Sequence, residues 1–325
     1  MITRRRFIGY GAASALGSML TALPVRAQAW PTRFVRVVVP FPAGSPPDVV
    51  SRLLAARLSA IWGQQVVIEN KLGAGGNLGT EAVARSAPDG YTLLTAAFTH
   101  TVNPFLYRSI GFDPIADFAP VTLVSVQPCV MVVPNSSPAH SVAEFIAYAK
   151  ASKGKITFAS AGHGTSPHLS GELFKRMTGI EMMHVPYRSG PQQDLIAGRV
   201  DVLFAVGASG FTMMRAGQAR ALAVTGNKRV ATAPELPTVA EAGVPGFDVT
   251  PWSGFLLPAK TAPAIVDKIH DDTVAVLAEP GIKERLQELG VTPLSSPPEE
   301  LSRYLKAEMD KWGPIIRDAK ITIDD

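Results

Sequence analysis

The chain has 325 residues, 46% of them hydrophobic and 18% charged, with 31 Lys and Arg against 27 Asp and Glu and a single cysteine, Cys129. One cysteine excludes an internal disulfide framework, and no block of Lys and Arg argues for nucleic acid or an anionic membrane surface. In the apolar run VQPCVMVV, Cys129 reads as a buried small hydrophobe.

The first segment is a leader. Thr3-Arg4-Arg5-Arg6-Phe7-Ile8 carries a twin-arginine export signature, a Gly/Ala-rich stretch follows to about Leu23, and Ala27-Gln28-Ala29 offers a cleavage site. The mature protein is expected to begin at Trp30 and to reside in the periplasm. The apolar part of the leader falls short of the roughly 20 residues that span a bilayer. Its removal takes four arginines and no acid, which brings the formal net charge from +4 to zero.

Strand-like and helix-like segments alternate through the 296 residues that remain, which predicts an α/β fold of two lobes, each a mostly parallel sheet flanked by helices. Arg36 to Val39 reads as a buried strand that empties into Pro40-Phe41-Pro42-Ala43-Gly44. Ser45 can then cap a helix whose apolar face is Val50, Leu53, Leu54 and Leu58, with Asp48 at the reciprocal capping-box position. Further strands are expected at Val66 to Ile68 and Thr92 to Ala96. The run Val121 to Val133, interrupted at Gln127-Pro128, is long enough to cross between lobes.

Ile156 to Phe158 is the next strand, and it opens into the small polar loop Ala159 to Thr165. Ser166 is placed as the N-cap of the following helix, Pro167 fits its first position, and Gly179 supplies its stop. After the strand Met182 to Val185, the loop Pro186-Tyr187-Arg188-Ser189-Gly190 leads into Pro191, again suited to a first helical turn. Val202 to Phe204 is the strand behind it. Trp252 to Leu257 and helices near 262–278, 281–289 and 298–319 return to the first lobe. The expected division is therefore 30–129 with 250–325 as one lobe and 130–249 as the other. Three loops offer helix N-termini, whose unpaired N–H groups and dipole favour an anion.

The segments FPAGSPPDVVSRLLA (41–55), ENKLGAGGNLGTEAVARSAPDGYTLL (69–94), SAGHGTSPHLSGELFK (160–175), HVPYRSG (184–190) and LPTVAEAGVPGFD (236–248) together resemble the tripartite tricarboxylate transporter substrate-receptor family, the Bug or TctC-type periplasmic binding proteins. The resemblance implies a periplasmic binding protein fold of type II-like character that closes on a small carboxylate, as a monomer, and presents the closed form to a membrane transporter or sensor partner. It implies a ligand held by backbone N–H groups of Ala43, Gly44 and Ser45 from one lobe and of Gly162, His163, Gly164 and Thr165 from the other, partly through bridging waters. Phe41 and Tyr187 would form apolar walls, and Ser160, Thr165 and Ser189 would offer hydroxyls.

Two departures from the family pattern matter. Where an Asp often follows the second lobe's apolar strand, this chain has Ala205, so an acid suited to an ammonium group is missing. The loop after Tyr187 is shorter than usual, and Arg188 either contacts the ligand or points to solvent. His163 stands where the family often has asparagine, as a ligand donor or as an exposed loop histidine.

Other chemistries find less support. Gly73-Ala74-Gly75-Gly76-Asn77-Leu78-Gly79 has the spacing G-x-G-x-x-x-G rather than the dinucleotide fingerprint, and it reads as a close approach of backbone and helix. Ser166 and His168 do not make a nucleophile and base, and Gly207-Ala208-Ser209-Gly210 lacks the spacing of a nucleophile elbow. A hydrolase-like enzyme using the same cleft stays as the alternative. His100, His163, His168 and His184 match no compact metal-ligand spacing, so neither a metal nor a cofactor is expected.

Overall fold

The computed structural model describes residues 30–187 and 190–323. The leader, Arg188 and Ser189 lie outside the described residues. From the N-terminal side, β1 (Val35–Val39) leads through α1 (Pro46–Trp62), β2 (Val66–Asn70), α2 (Asn77–Ala84), β3 (Thr92–Ala97) and α3 (Thr99–Leu106) to β4 (Phe118–Val126). Gln127 and Pro128 then carry the chain into β5 (Cys129–Pro134). There follow α4 (Val142–Ala151), β6 (Ile156–Ser160), α5 (Ser166–Thr178), β7 (Met182–Pro186), α6 (Gln192–Ile196), β8 (Val202–Val206), α7 (Gly207–Arg215) and β9 (Ala219–Val224). The last elements are β10 (Trp252–Pro258), α8 (Pro263–Ala278), α9 (Pro280–Glu288), β11 (Thr292–Pro293) and α10 (Pro298–Asp318).

Two sheets result, ordered β11-β4-β10-β3-β1-β2 and β7-β6-β8-β5-β9. Each is mixed rather than mostly parallel. Parallel pairing is confined to β1 with β2 and β3, and to β6 with β7 and β8, whereas β10 and β5 run antiparallel to both of their neighbours. The physical reason lies in how those two strands arrive. Each enters from the other sheet without a crossover helix, so nothing obliges it to run parallel to its neighbours; β10 inserts between β3 and β4, and β5 ends up between β8 and β9.

Burial follows the strand period of two. Val35, Val37 and Val39 pack under α1 and α8 with Leu54, Leu58 and Phe255, while Val38 faces the opposite layer. In β5, Val130 and Val132 face one layer and Cys129, Met131 and Val133 the other. The layer that holds Met131, Phe158 and Phe174 is continuous with the one that holds Leu94, Val102 and Trp312, so one apolar core runs through both sheets. Cys129 is fully buried, and burial pushes its thiol up to about 12, as befits a packed hydrophobe.

The two crossings between sheets lie side by side. Cys129 N–H donates to Thr225 Oγ1 at 2.8 Å, and that hydroxyl donates to the Val249 carbonyl at 2.7 Å. Thr225 N–H donates in turn to Cys129 O, Val249 N–H to Thr225 O and Gln127 N–H to Pro251 O, each at 2.8 Å. Just inside the first sheet, the Ser125 and Ser253 hydroxyls meet at 2.6 Å.

Candidate functional site

The loop before α1 is braced by Asp48. Its carboxylate is buried and accepts from Gly44 N at 2.9 Å, Arg52 Nε at 2.9 Å and Asn70 Nδ2 at 2.8 Å, while Asn70 Nδ2 also reaches the Phe41 carbonyl at 3.0 Å. Burial pushes this carboxyl up, but the bonds from Arg52, Asn70 and Gly44 outweigh it and hold the pKa below the usual range. Ser45 is the N-cap residue, yet its side chain makes no capping bond: Pro46 and Pro47 occupy the first two helical positions and carry no N–H. The Ser45 N–H goes to the Pro42 carbonyl, and Asp48 bonds Gly44 rather than the cap residue. Ala43 and Gly44 are exposed, Phe41 is half-buried, and Ser45 Oγ is buried with no partner among the described residues.

In the loop before α5, Thr165 rather than Ser166 is the N-cap residue, with extended backbone at φ −69° and ψ 156°. Its hydroxyl donates to Gly162 O at 2.8 Å instead of accepting from the helix. Gly162 N–H donates to Ser160 Oγ and Gly164 N–H to His168 Nδ1, both at 3.0 Å. Ser45 N–H likewise donates to Pro42 O at 3.1 Å. Gly44, Ser45, Gly162 and Gly164, four of the backbone donors expected to hold a ligand, are thus engaged within their own loops. Ala43, His163 and Thr165 have no such internal acceptor among the described residues.

Three histidines converge here, contrary to the expectation of no compact set. Ring nitrogens of His163, His168 and His184 lie within 4.8 Å of one another. His168 and His184 stack at 3.8 Å between centroids with planes 13° apart, and exposed His163 stands edge-on to both at 5.4 and 5.1 Å. Strand register, invisible in the sequence spacing, brings them together: β6 and β7 pair Phe158 with His184, and α5 returns His168 over them.

The hydrogen bonds argue against a metal ion in this cluster. Because His168 Nδ1 accepts from Gly164, the neutral ring carries its hydrogen on Nε2, which lies 3.9 Å from Glu172 Oε1. A metal-bound histidine instead donates from its second nitrogen, and two rings stacked in parallel do not aim lone pairs at one point. Burial, then the charges of His184, His163 and Lys175, drives the His168 pKa down to about 3; burial, then His163 and Lys175, takes His184 to about 4.

The third loop contributes less than expected. Tyr187 Oη donates to Asp194 Oδ2 at 2.6 Å, and that bond raises the phenol's pKa. The helix that follows, α6, has five residues, too short to develop a strong terminal field. Ala205 lies buried in β8 opposite Val130 and packs in the core, so it does not reach an open surface.

What faces α1 across the lobes is α7. A cavity of about 140 Å³ is lined on the first sheet's side by Gly44, Pro46, Val49, Val50, Leu289 and Val291, and on the other by Ala208 of α7. Ala208 is the second residue of α7, so two helix starts from different sheets border one space. In the sequence Gly207 to Gly210 reads only as an incomplete nucleophile elbow, and the strand Val202 to Phe204 just before it is the available signal. The α5 loop also meets the other lobe: a Cβ on Gly164, at φ +72°, would collide with Leu106 of α3. Gly79 has a different role, since a Cβ there would strike Lys71 O and Pro40, which is the close approach the glycine run suggested.

Residues 50–321 match the model of the family described as "Tripartite tricarboxylate transporter family receptor". The chain belongs to this receptor family. It is 37% identical over 318 residues to the UPF0065 protein in the tcbD-tcbE intergenic region of Pseudomonas sp. (strain P51), covering 97% of this chain and 94% of that one. Among solved structures it resembles R. palustris Rpa4515 with adipate, at TM-score 0.79 and 37% identity over 90% of this chain and all of that one. MatC from Rhodopseudomonas palustris with bound malate gives TM-score 0.74 and 32% identity, covering 88% of this chain and all of that one. The fold is that of the periplasmic binding proteins of this family.

One feature of this receptor fold imitates an enzyme. Ser160 Oγ and His184 Nε2 stand 2.6 Å apart, the contact of a nucleophile with its base. Ser160 is fully buried, however, and its hydroxyl also bonds the Gly162 N–H and carbonyl. A His184 pKa near 4 makes a weak base at neutral pH. The pair ties the loop to β7.

Proposed function

We propose that this chain is an extracytoplasmic solute receptor that takes a small carboxylate, a dicarboxylate or an aromatic acid, into the cleft between lobes 30–129 with 250–325 and 130–249, and delivers it to a membrane transporter. The observation that carries this reading is the pair of helix starts, α1 and α7, from different sheets on one interlobe cavity. Such termini attract anions, and adipate and malate are the ligands named with two solved relatives. Phe41, Ala43, Gly44 and Ser45 would form one wall. Ser160, Gly162 to Thr165, Tyr187, Arg188 and Ser189 would supply the opposing contacts, with Gly44, Ser45, Gly162 and Gly164 either exchanging their internal bonds or acting through water. Closure then makes binding itself the signal to the membrane partner. Residues 1–29 act as the export leader, cleaved after Ala29, and the mature receptor works as a monomer in the periplasm.

A thermal-shift screen of the mature protein tests this. A carboxylate at about 100 times its Kd adds roughly 2.7 kcal/mol to unfolding and raises the Tm by several degrees. Stabilisation by a nucleotide or a diamine, with succinate, malate, adipate and benzoate all inert, would defeat the proposal.

The Ser160–His184 contact favours one second reading, a hydrolase using the same cleft. Mass spectrometry of the bound acid after incubation separates the two, since a receptor returns it intact.

A further inference from the structure

The last helix packs on the first sheet and reaches across to the second. α10 lies on α3 and β4, whereas α5 lies on β6, β7 and β8. Along α10, Lys311, Ile315 and Asp318 recur at i, i+4 and i+7 and so share one face. Lys311 Nζ stands 3.9 Å from Asp248 Oδ2, Ile315 is buried, and the Asp318 carboxylate accepts from the Arg176 guanidinium of α5. Between the two helices remains a groove of about 340 Å³, lined by Glu172, Lys175, Arg176, Ile315, Asp318 and Ala319. The two layers meet here through charge and not through close packing.

The two ion pairs sit at different distances from the point where the chain passes between sheets. Asp248 is next to Val249, whose N–H donates to Thr225 O at 2.8 Å in the crossing itself. Asp318 is two turns farther along α10, ~10 Å along the axis. Just beyond it, Ile323 N–H donates to Leu106 O at 2.9 Å, and the Ile323 Cδ1 lies 3.4 Å from where a Cβ on Gly164 would stand. The helix therefore runs from the crossing toward the loop before α5. Proteins of this fold close by hinge rotation of their lobes. Rotation about the crossing moves the Lys311 end little and the Asp318 end more.

We propose that Arg176 and Asp318 form an interlobe latch, made when the lobes close and broken when they open, so that salt weakens closure. The effect on ligand affinity rests on the receptor reading above; the latch itself does not. The neighbouring charges leave the pair to itself. Lys175 is paired to Glu172 at 2.9 Å, and the Arg317 guanidinium lies over the Phe105 ring at 5.5 Å. Lys311 is shared with Glu308 of its own helix at 2.5 Å, which makes its longer contact to Asp248 the weaker of the two cross-links. The Arg176 and Asp318 side chains are 49% and 64% exposed, so counterions reach them and screen the attraction.

Small-angle scattering of the ligand-free mature protein at about 20 mM and about 500 mM NaCl reads the latch without any ligand, since salt at the higher level screens an exposed pair. Arg176→Gln and Asp318→Asn are each expected to show at low salt the larger radius of gyration that the parent reaches only at high salt. Arg176→Glu combined with Asp318→Arg restores a pair of opposite sense and should restore the parent's salt response. Titration calorimetry with succinate, malate, adipate and benzoate adds the functional half. Each neutral variant should bind the tightest of these acids about two- to fivefold more weakly than the parent, the range open to an exposed ion pair. Arg176→Gln with Asp318→Asn should lose no more than either alone, because both remove the same interaction. Circular dichroism and melting curves establish that the variants are folded. Equal radii in all the proteins at both salt concentrations, or losses of affinity that add in the doubly neutral variant, overturn the latch. Inertness of all four acids toward every protein overturns the carboxylate reading, while the scattering still decides the latch.

Discussion

Thr225 and Cys129 form a hydrogen-bonded pair at the point where the chain passes between sheets: each donates its backbone N–H to the other, to an oxygen 2.8 Å away, one a hydroxyl and one a carbonyl. The same threonine hydroxyl donates to Val249, so a single buried side chain ties the outgoing and returning segments together. Thr225→Val keeps the shape and removes the hydroxyl, leaving the Cys129 N–H and the Val249 carbonyl without that partner in a buried site. Loss of about 1 to 3 kcal/mol of unfolding free energy is expected in urea titrations. A change below about 0.5 kcal/mol would show that the crossing segments do not depend on this link.

Acid sensitivity follows from the histidine stack. The folded pKa values of His168 and His184, near 3 and 4, lie below the ordinary value of 6.5, so the unfolded chain binds more protons between these limits. Their contribution to stability is present in full above about pH 6.5 and is lost as pH falls toward 4 and then 3. His184→Gln retains a polar partner for Ser160 and cannot be protonated. The slope of unfolding free energy against pH between 6 and 5 should fall by at most about 1.4 kcal/mol per pH unit in that variant. An unchanged slope would mean that His184 is already solvated in the folded protein.

Sequence patterning anticipated what depends on local order. The strand at Val35–Val39, the crossing at Gln127-Pro128 and the three C-terminal helices arise from hydrophobic period and from proline and glycine punctuation. Pairing direction was not legible, because the run of apolar residues in β5 or β10 is the same whether the strand lies parallel or antiparallel to its neighbours. The histidine cluster was hidden for a related reason. His168 follows His163 by five positions and His184 follows His168 by sixteen, and only the β6–β7 register and the return of α5 make them neighbours. The family resemblance marked the α1 and α5 loops, but it could not reveal that Gly44, Ser45, Gly162 and Gly164 spend their N–H groups internally, since that depends on where Asp48, Pro42, Ser160 and His168 place their acceptors.

Gly164, in the loop before α5, abuts Leu106 of α3. Alanine there would have to hold φ near +72° and would press its Cβ into Leu106. The backbone term alone is about 1 kcal/mol for a residue with a side chain. Because the collision is between lobes, Gly164→Ala should weaken carboxylate affinity more than it lowers the Tm, by roughly tenfold if about 1.4 kcal/mol of closure free energy is lost. Titration calorimetry and a melting curve on the same sample check this. Equal affinity in parent and variant would place the closing contact elsewhere.

Ser160→Ala separates the receptor from the hydrolase at the level of one atom. The serine hydroxyl bridges Gly162 and His184 and is shielded from solvent, so its removal leaves the Gly162 N–H without its acceptor and loosens the loop. A loss of stability of about 1 to 2 kcal/mol is expected, together with a modest loss of carboxylate affinity. Chemistry gives the sharper contrast. A receptor shows no ester or amide turnover in either protein, since a base with a pKa near 4 and a buried hydroxyl do not make an effective nucleophile at neutral pH. Incubation with a p-nitrophenyl ester, followed by absorbance and by intact-protein mass spectrometry for an acyl adduct, reads this directly. Turnover by the parent protein that disappears in Ser160→Ala would establish the Ser160–His184 pair as catalytic and remove the receptor as the sole function of this cleft.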